Sequence, residues 1–292
     1  MVFGAVSTTD EVLEGVDLTG KVAVVTGASV GLGLETARAM AAHGAHVVMA
    51  MRDPANAVEA RDVVGPNGEL VALDLASLDA VRAGAGAVLD RQPEIDVLVN
   101  NAGVMATPPG RTADGFELQL GTNHLGHFLF TALLAPALRD GSRIVNVSSR
   151  GHLGSGIHWD DPHYETREYN KWQAYGQSKT ANILFTRGLA RRGFTAYAVH
   201  PGMIVTELYR YLPDDERAAV QNRPASSDGT PTKTVPQGAA TIVWAATGDG
   251  IASGSYLADC QVAEAAAHAT DPDEVERLWT WSEEQVGQTF SR

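Results

Sequence analysis

Cysteine is almost missing from this chain: Cys260 stands alone among 292 residues. That excludes an intrachain disulfide and a cysteine-built metal site, and it suits a reducing cytosol. Basic residues are also scarce, with 22 Lys and Arg against 35 Asp and Glu and a net charge of -13. Such a balance disfavours non-specific attraction to nucleic acid or to an anionic membrane, and no basic cluster offsets it locally. No apolar run approaches the ~20 residues of a membrane-spanning helix. The first fifteen residues contain no Lys or Arg and include Asp10, Glu11 and Glu14, unlike a secretory leader. These absences predict a cytoplasmic protein with no nucleic-acid partner and no membrane insertion. With 44% apolar residues, the chain has ample material for a core, and no linker or internal repeat divides it.

What is present is an alternation of short apolar runs and amphipathic stretches. Strands are expected at 21–26, 46–50, 70–73, 96–100, 143–147, 195–199 and 255–258. Between them helices are expected at 30–43, 54–64, from Ser77, and at 115–138, 173–192, 237–247 and 271–287. Strands that are apolar on both faces and separated by helices predict an α/β fold, a single-domain doubly wound parallel sheet with helices on both faces. The alternation breaks at 150–172 and at 203–236. These are read as insertions into one domain of 1–292, the second forming a small lobe or lid over a substrate pocket. Residues 1–20 show weak periodicity and read as a loose lead-in.

The first apolar run leads into Thr26-Gly27-Ala28-Ser29-Val30-Gly31-Leu32-Gly33. Glycines there let backbone N–H groups approach an anion at a helix N-terminus, the chemistry of a dinucleotide pyrophosphate site. The same residues contain Gly-x-Ser-x-Gly, which in a serine hydrolase presents a nucleophile, here Ser29. Only about 25 residues precede Ser29, too few for the strands and oxyanion loop such an elbow follows. An acid and a histidine would also have to follow in order; His200 could serve, but no other feature supports it. Farther on, Tyr175 and Lys179 stand four apart in a helical stretch, so they share a face and can share a site.

Taken together, the motifs resemble the short-chain dehydrogenase/reductase family over nearly the whole chain, and its retinol-dehydrogenase-like branch in wording. The matching pieces, in order, are Thr26-Gly27-x-x-x-Gly31-x-Gly33, Asp74-Leu75, Asn100-Asn101-Ala102-Gly103, and Asn123 in Thr-Asn-His-Leu-Gly-His-Phe. Ser148-Ser149, Tyr175-x-x-x-Lys179 and Pro201-Gly202 with Thr206 follow. The resemblance implies a Rossmann fold and an oxidoreductase that interconverts a ketone or aldehyde with an alcohol. Tyr175 is then the general acid or base, Ser149 the hydrogen-bond donor to the substrate oxygen, and Asn123 the residue that orders a water behind Lys179. A free tyrosine titrates near 10, and bringing it to 7 takes about 4 kcal/mol. An ammonium ~4 Å away supplies about that much at an effective dielectric of ~20, so Lys179 with an oxidised nicotinamide is expected to lower Tyr175.

The resemblance further implies that Gly27, Ser29, Gly31, Leu32 and Gly33 hold the cofactor's phosphates. It places Asp74 and Leu75 at the adenine, Asn100, Ala102 and Gly103 beside the turn and the ribose, and Thr206 at the carboxamide, with Pro201 and Gly202 also among the cofactor-binding residues. The family's acidic position after the second strand falls on Met51, with Arg52 next. A cation there suits the 2′-phosphate, so NADP(H) is expected over NAD(H). Family members are often homodimers or homotetramers, and the same is expected here. Histidines 124, 127, 152, 158 and 163 lack a His-Glu-x-x-His frame or a cysteine partner, so no metal is expected; His152 or His158 is a candidate for the pocket wall. Ser149 and Tyr175 are 26 positions apart, longer than the family's common spacing. Trp159, Tyr164, Tyr169 and Trp172, with Met203, Ile204, Leu208, Tyr209 and Tyr211, suggest a roomy pocket for a bulky hydrophobic substrate. The rival functions are the hydrolase at Ser29 and a non-catalytic NADPH-binding regulator.

Overall fold

The computed structural model of the chain describes residues 3–221 and 232–290. Strands β1 (Val22–Thr26), β2 (His46–Met51) and β3 (Gly68–Ala72) alternate with α2 (Gly31–Ala42) and α3 (Val58–Val64), after a short α1 (Thr9–Leu13). The chain then runs through α4 (Leu78–Leu89), β4 (Ile95–Asn100), α5 (Leu118–Leu120), α6 (Gly126–Leu134) and β5 (Leu138–Val147). It closes with α7 (Lys171–Arg191), β6 (Thr195–His200), α8 (Asp214–Gln221), α9 (Val235–Thr247), β7 (Tyr256–Ala258), β8 (Gln261–Ala263) and α10 (Pro272–Val286). The sheet order is β3-β2-β1-β4-β5-β6-β7-β8, parallel throughout except for the final pair. The chain leaves β1 toward β2 and β3, then crosses to β4 on its other side, so the direction of winding reverses between β1 and β4. In such sheets a crevice opens beyond the strand ends at that point.

Both faces of the sheet are covered, which is why its strands read as unbroken apolar runs. Ala23 and Val25 of β1 join Val47, Val97 and Val145 in a core with α2 and α9. Val24, one residue out of phase, joins Val48, Leu98 and Ile144 against α4, α6, α7 and α10. Among the described residues no helix is long and apolar enough to cross a membrane.

Several expectations shift. The lead-in holds α1, fixed by a capping box between Thr8 and Glu11 and burying Val12 and Leu13. The helix expected over 115–138 is broken in kind: α5 passes through a π turn at Gly121–Leu125 into α6, which stops at Leu134 before Pro136. The lobe at 203–236 contains α8, and its residues 222–231 lie outside the described residues. β8 was not foreseen; it pairs antiparallel with β7 through Asp259 and Cys260, both at φ +54. Cys260 is buried, with its N–H on Thr241 Oγ1 at 3.1 Å.

Candidate active site

At the carboxyl ends of β1 and β4 lies a cleft of about 490 Å³. Its floor is the turn from β1 into α2. Gly27 sits at φ +67, a conformation that disfavours side chains. A Cβ on Gly33 would collide with the Gly27 carbonyl and lie 2.5 Å from Asn101 Nδ2. Val30 caps α2 without a side-chain hydrogen bond, so among the described residues no side chain caps the first N–H groups of this helix, whose residues line the cleft. That is the donor set an anionic group needs, and a dinucleotide fits these residues.

Around the turn, Ser29, Gly31 and Leu32 line the cleft, and Arg52, Asp74 and Leu75 line its end at β2 and β3. Ala102 and Gly103 lie on the β4 side, and Pro201, Gly202 and Thr206 on the far side. Thr206 leans onto the turn: a Cβ on Gly31 would meet its methyl at 3.6 Å. Asn100 departs from expectation. Its side chain is buried and donates to Thr131 Oγ1 (2.9 Å) and Asn146 Oδ1 (2.8 Å). Asn101, one residue on and of opposite parity, lines the cleft and donates to the Thr26 carbonyl at 2.9 Å.

The reactive side chains come from β5 and α7. Ser148 donates to the Lys179 carbonyl at 2.8 Å, which occupies its hydroxyl. Ser149 accepts from Gly151 N–H at 3.0 Å and is hydrogen-bonded to Tyr175. Tyr175 and Lys179 are both buried and both line the cleft. Lys179 Nζ donates to the Val147 carbonyl at 3.0 Å and stands 5.6 Å from the Tyr175 ring centroid. The expected lowering of Tyr175 is not what the protein alone produces. Burial pushes the phenol above its ordinary value, with the Ser149 bond acting against it, and burial lowers Lys179 from 10.5 to about 8. Each group is driven toward its neutral form because neither meets a countercharge at close range.

Asn123 lies behind the cleft on the π turn, fully buried. Its amide donates to the Val104 carbonyl (2.9 Å) and to Ser178 Oγ (3.0 Å), and its Oδ1 accepts Val104 N–H at 2.8 Å. Nothing from 150–172 lines the cleft. Trp159 donates to Glu274 and packs edge-on to Trp281 of α10, while Tyr164 packs on Tyr169 and under Arg167. Trp159 thus ties the insertion to α10, and Tyr169, which donates to Glu117 and accepts from Gln119, ties it to α5. His152 Nδ1 donates to the Ser149 carbonyl at 2.6 Å and its ring meets Tyr256 edge-on, and His158 contacts Ser155, so neither forms a wall. The apolar wall comes instead from Ile204, Leu208 and Tyr209 of the later lobe and from Met105, which no local pattern marked; Met203 and Tyr211 are not part of it. No histidine among the described residues lines the cleft with Ser29, so a nucleophile there lacks its base. No described group of three or more His, Cys, Asp or Glu is placed to hold a metal ion.

Residues 21–217 match the family described as short chain dehydrogenase. Human retinol dehydrogenase 11 is 42% identical over 285 residues, covering 93% of this chain and 87% of that protein. A crystal structure of a protein from Mycobacterium paratuberculosis superposes with a TM-score of 0.77 at 35% identity, covering 94% of this chain and 97% of that one. The 3-ketoacyl-(acyl-carrier-protein) reductase of Brucella melitensis, solved with NADH, gives a TM-score of 0.64 at 26% identity over 83% of this chain and 97% of that one.

Proposed function

The chain belongs to the short-chain dehydrogenase family as a nicotinamide-dependent oxidoreductase, and we propose that it interconverts a bulky hydrophobic ketone or aldehyde with its alcohol, using NADP(H), with Tyr175 as general acid and base. The observation that carries this reading is the placement of Tyr175, hydrogen-bonded to Ser149 and one helical turn from Lys179, on the wall of the cleft that begins at the glycine turn. A bound nicotinamide supplies or accepts the hydride and, when oxidised, brings a positive charge to the site. The remaining work belongs to the chain. Tyr175 donates its phenolic proton to the carbonyl oxygen in reduction and takes it back in oxidation, and Ser149 holds that oxygen by a hydrogen bond. Lys179, still largely protonated at pH 7 with a pKa of about 8, favours the phenolate. Asn123 orders a water behind Lys179 for proton return.

Arg52, exposed at the β2 end of the cleft, supports preference for the 2′-phosphate of NADP(H). Met105, Leu208 and Tyr209 support an apolar substrate. Cofactor oxidation is followed by absorbance across a panel of carbonyls. Tyr175→Phe is expected to reduce kcat by about a hundredfold or more, and normal turnover in that variant overturns the assignment. Arg52→Ala is expected to lower kcat/KM about tenfold or more with NADPH, the worth of a charge-assisted hydrogen bond, and to leave NADH unchanged. Equal loss with both cofactors removes the NADP(H) preference.

A further inference from the structure

Thr26, the last residue of β1, has a fully buried hydroxyl crowded by four groups. The backbone N–H groups of Asn101 and Ala102 donate to it at 2.9 and 3.0 Å. His127 Nε2 lies 2.8 Å away and the Val99 carbonyl 3.4 Å away. A hydroxyl has two acceptor lone pairs and one proton. The two N–H donors fill the lone pairs, so the proton goes to the nearer remaining acceptor, Nε2. That nitrogen therefore carries no hydrogen.

In a neutral imidazole the proton is then on Nδ1. Nδ1 of His127 lies 3.0 Å from the carbonyl oxygen of Asn123 and donates to it. Charging the ring would set a second proton against the Thr26 hydroxyl. Burial, aided by the nearby Lys179 charge, holds its pKa down at about 4 in any case. The side chain of Asn123 is already fixed on Val104 and Ser178, so His127 supplies the grip on its main chain.

We propose that His127 is a positioning residue which joins the two halves of the site: through Nε2 it orients the Thr26 hydroxyl that holds the Asn101–Ala102 turn against the cofactor glycines, and through Nδ1–H it fixes the carbonyl of Asn123. A single side chain on α6 thus couples β1, the segment after β4 and the π turn. Its bearing on turnover rests on the oxidoreductase reading above, whereas its protonation does not.

The two ends of the ring can be separated by substitution. His127→Asn keeps a donor near the Nδ1 position and removes the acceptor facing Thr26. His127→Gln keeps an acceptor near Nε2 and removes the donor facing Asn123. Loss of one buried hydrogen bond is worth about tenfold. His127→Asn is therefore expected to weaken NADPH binding about tenfold, measured as a Kd by fluorescence, with little change in kcat. His127→Gln is expected to lower kcat about tenfold with little change in Kd. Parallel shifts of both constants in both variants overturn the proposal. Nitrogen-15 NMR of the histidine-labelled, cofactor-free protein provides a readout without turnover. His127 is expected as the Nδ1–H tautomer, untitrated from about pH 5.5 to 9, and an Nε2–H tautomer or a titration in that range overturns it. Thr26→Val guards against misfolded histidine variants: it is expected to reproduce the Kd change of His127→Asn, and Thr26→Ser to bind like the unaltered protein, while unchanged binding in Thr26→Val overturns the proposal. If Tyr175→Phe turned over normally, the catalytic reading would fall while the tautomer and the Kd comparison stood.

Discussion

Lys179→Met is expected to make the cofactor-free protein more stable while disabling it. Lys179 is 4% exposed, and burial alone accounts for its fall from 10.5 to about 8. At 1.36 kcal/mol per pH unit, the charged form is about 3 kcal/mol less favourable in the fold than in the unfolded chain. Methionine fills much of the same space without the charge. The bond from Nζ to the Val147 carbonyl is lost, but Asn182 Nδ2 also donates to that oxygen at 3.0 Å, so the acceptor is not orphaned. Subtracting about 1 kcal/mol for the lost bond leaves a gain of about 2 kcal/mol at pH 7. The sign of the pH dependence follows from proton counting. Below pH 8 both states of the unaltered protein hold the lysine proton and the penalty is full. Between about 8 and 10.5 the unfolded chain keeps the proton and the folded chain sheds it, so stability rises with pH. The advantage of the variant therefore shrinks over that window. The other tyrosines titrate alike in both proteins, and burial keeps Tyr175 neutral in the cofactor-free fold through this window, so tyrosine does not enter the difference. Denaturant unfolding of both proteins at pH 7 and pH 10 measures the gap, and kcat of the variant is expected to drop about a hundredfold or more. A variant less stable than the parent at pH 7, or a gap equal at both pH values, refutes the reasoning.

Gly33→Ala is expected to raise the Kd for NADPH about tenfold or more, because the added methyl overpacks the turn at about 1–3 kcal/mol; an unchanged titration would contradict the close approach of Gly27 and Asn101 described above. Lys233 is buried and pairs with the half-exposed Asp259. Asp259→Asn is expected to destabilise more than Lys233→Met, since the first leaves a buried ammonium unpaired and the second removes it; urea midpoints in the reverse order would refute this. Tyr209→Ala is expected to raise KM for bulky carbonyls several-fold, whereas Trp159→Phe lowers the Tm and leaves KM unchanged, because Trp159 packs on α10. Steady-state kinetics with one large and one small substrate, beside thermal melts, distinguish the two.

The parts of the fold that were legible in the sequence are those in which one residue type serves one local rule. Strands apolar on both faces announced a covered parallel sheet, and Ser77 announced a helix whose Ala80 N–H it caps. The elements that escaped lacked such a signal. Helix α1 spans five residues, too few for a period to register, and the turn of the last hairpin uses Asp259 and Cys260 where glycine ordinarily marks the spot. In the site, spacing alone put Tyr175 and Lys179 on one helix face, a pattern many solvated helices share, and only the company of the other family motifs singled the pair out. Asn100 and Asn101 were not distinguishable by type, and only the parity of β4 decides which one turns inward. The insertion at 150–172 carries aromatics that composition cannot assign to a pocket or to packing; the partners of Trp159, Glu274 and Trp281, lie more than a hundred residues away. His127 belongs with them, since Thr26 and Asn123 reach it from separate elements.

The π turn at Gly121–Leu125 carries one residue more than an α-helix would use to cover the same rise. Each helical residue advances the face by about 100°. A one-residue deletion inside that turn would relax it to regular helix and swing Asn123 out of phase with His127, Phe128 and the rest of α6. Along this segment an exchange of one residue alters one contact, whereas a change of length alters the facing of every side chain that follows it.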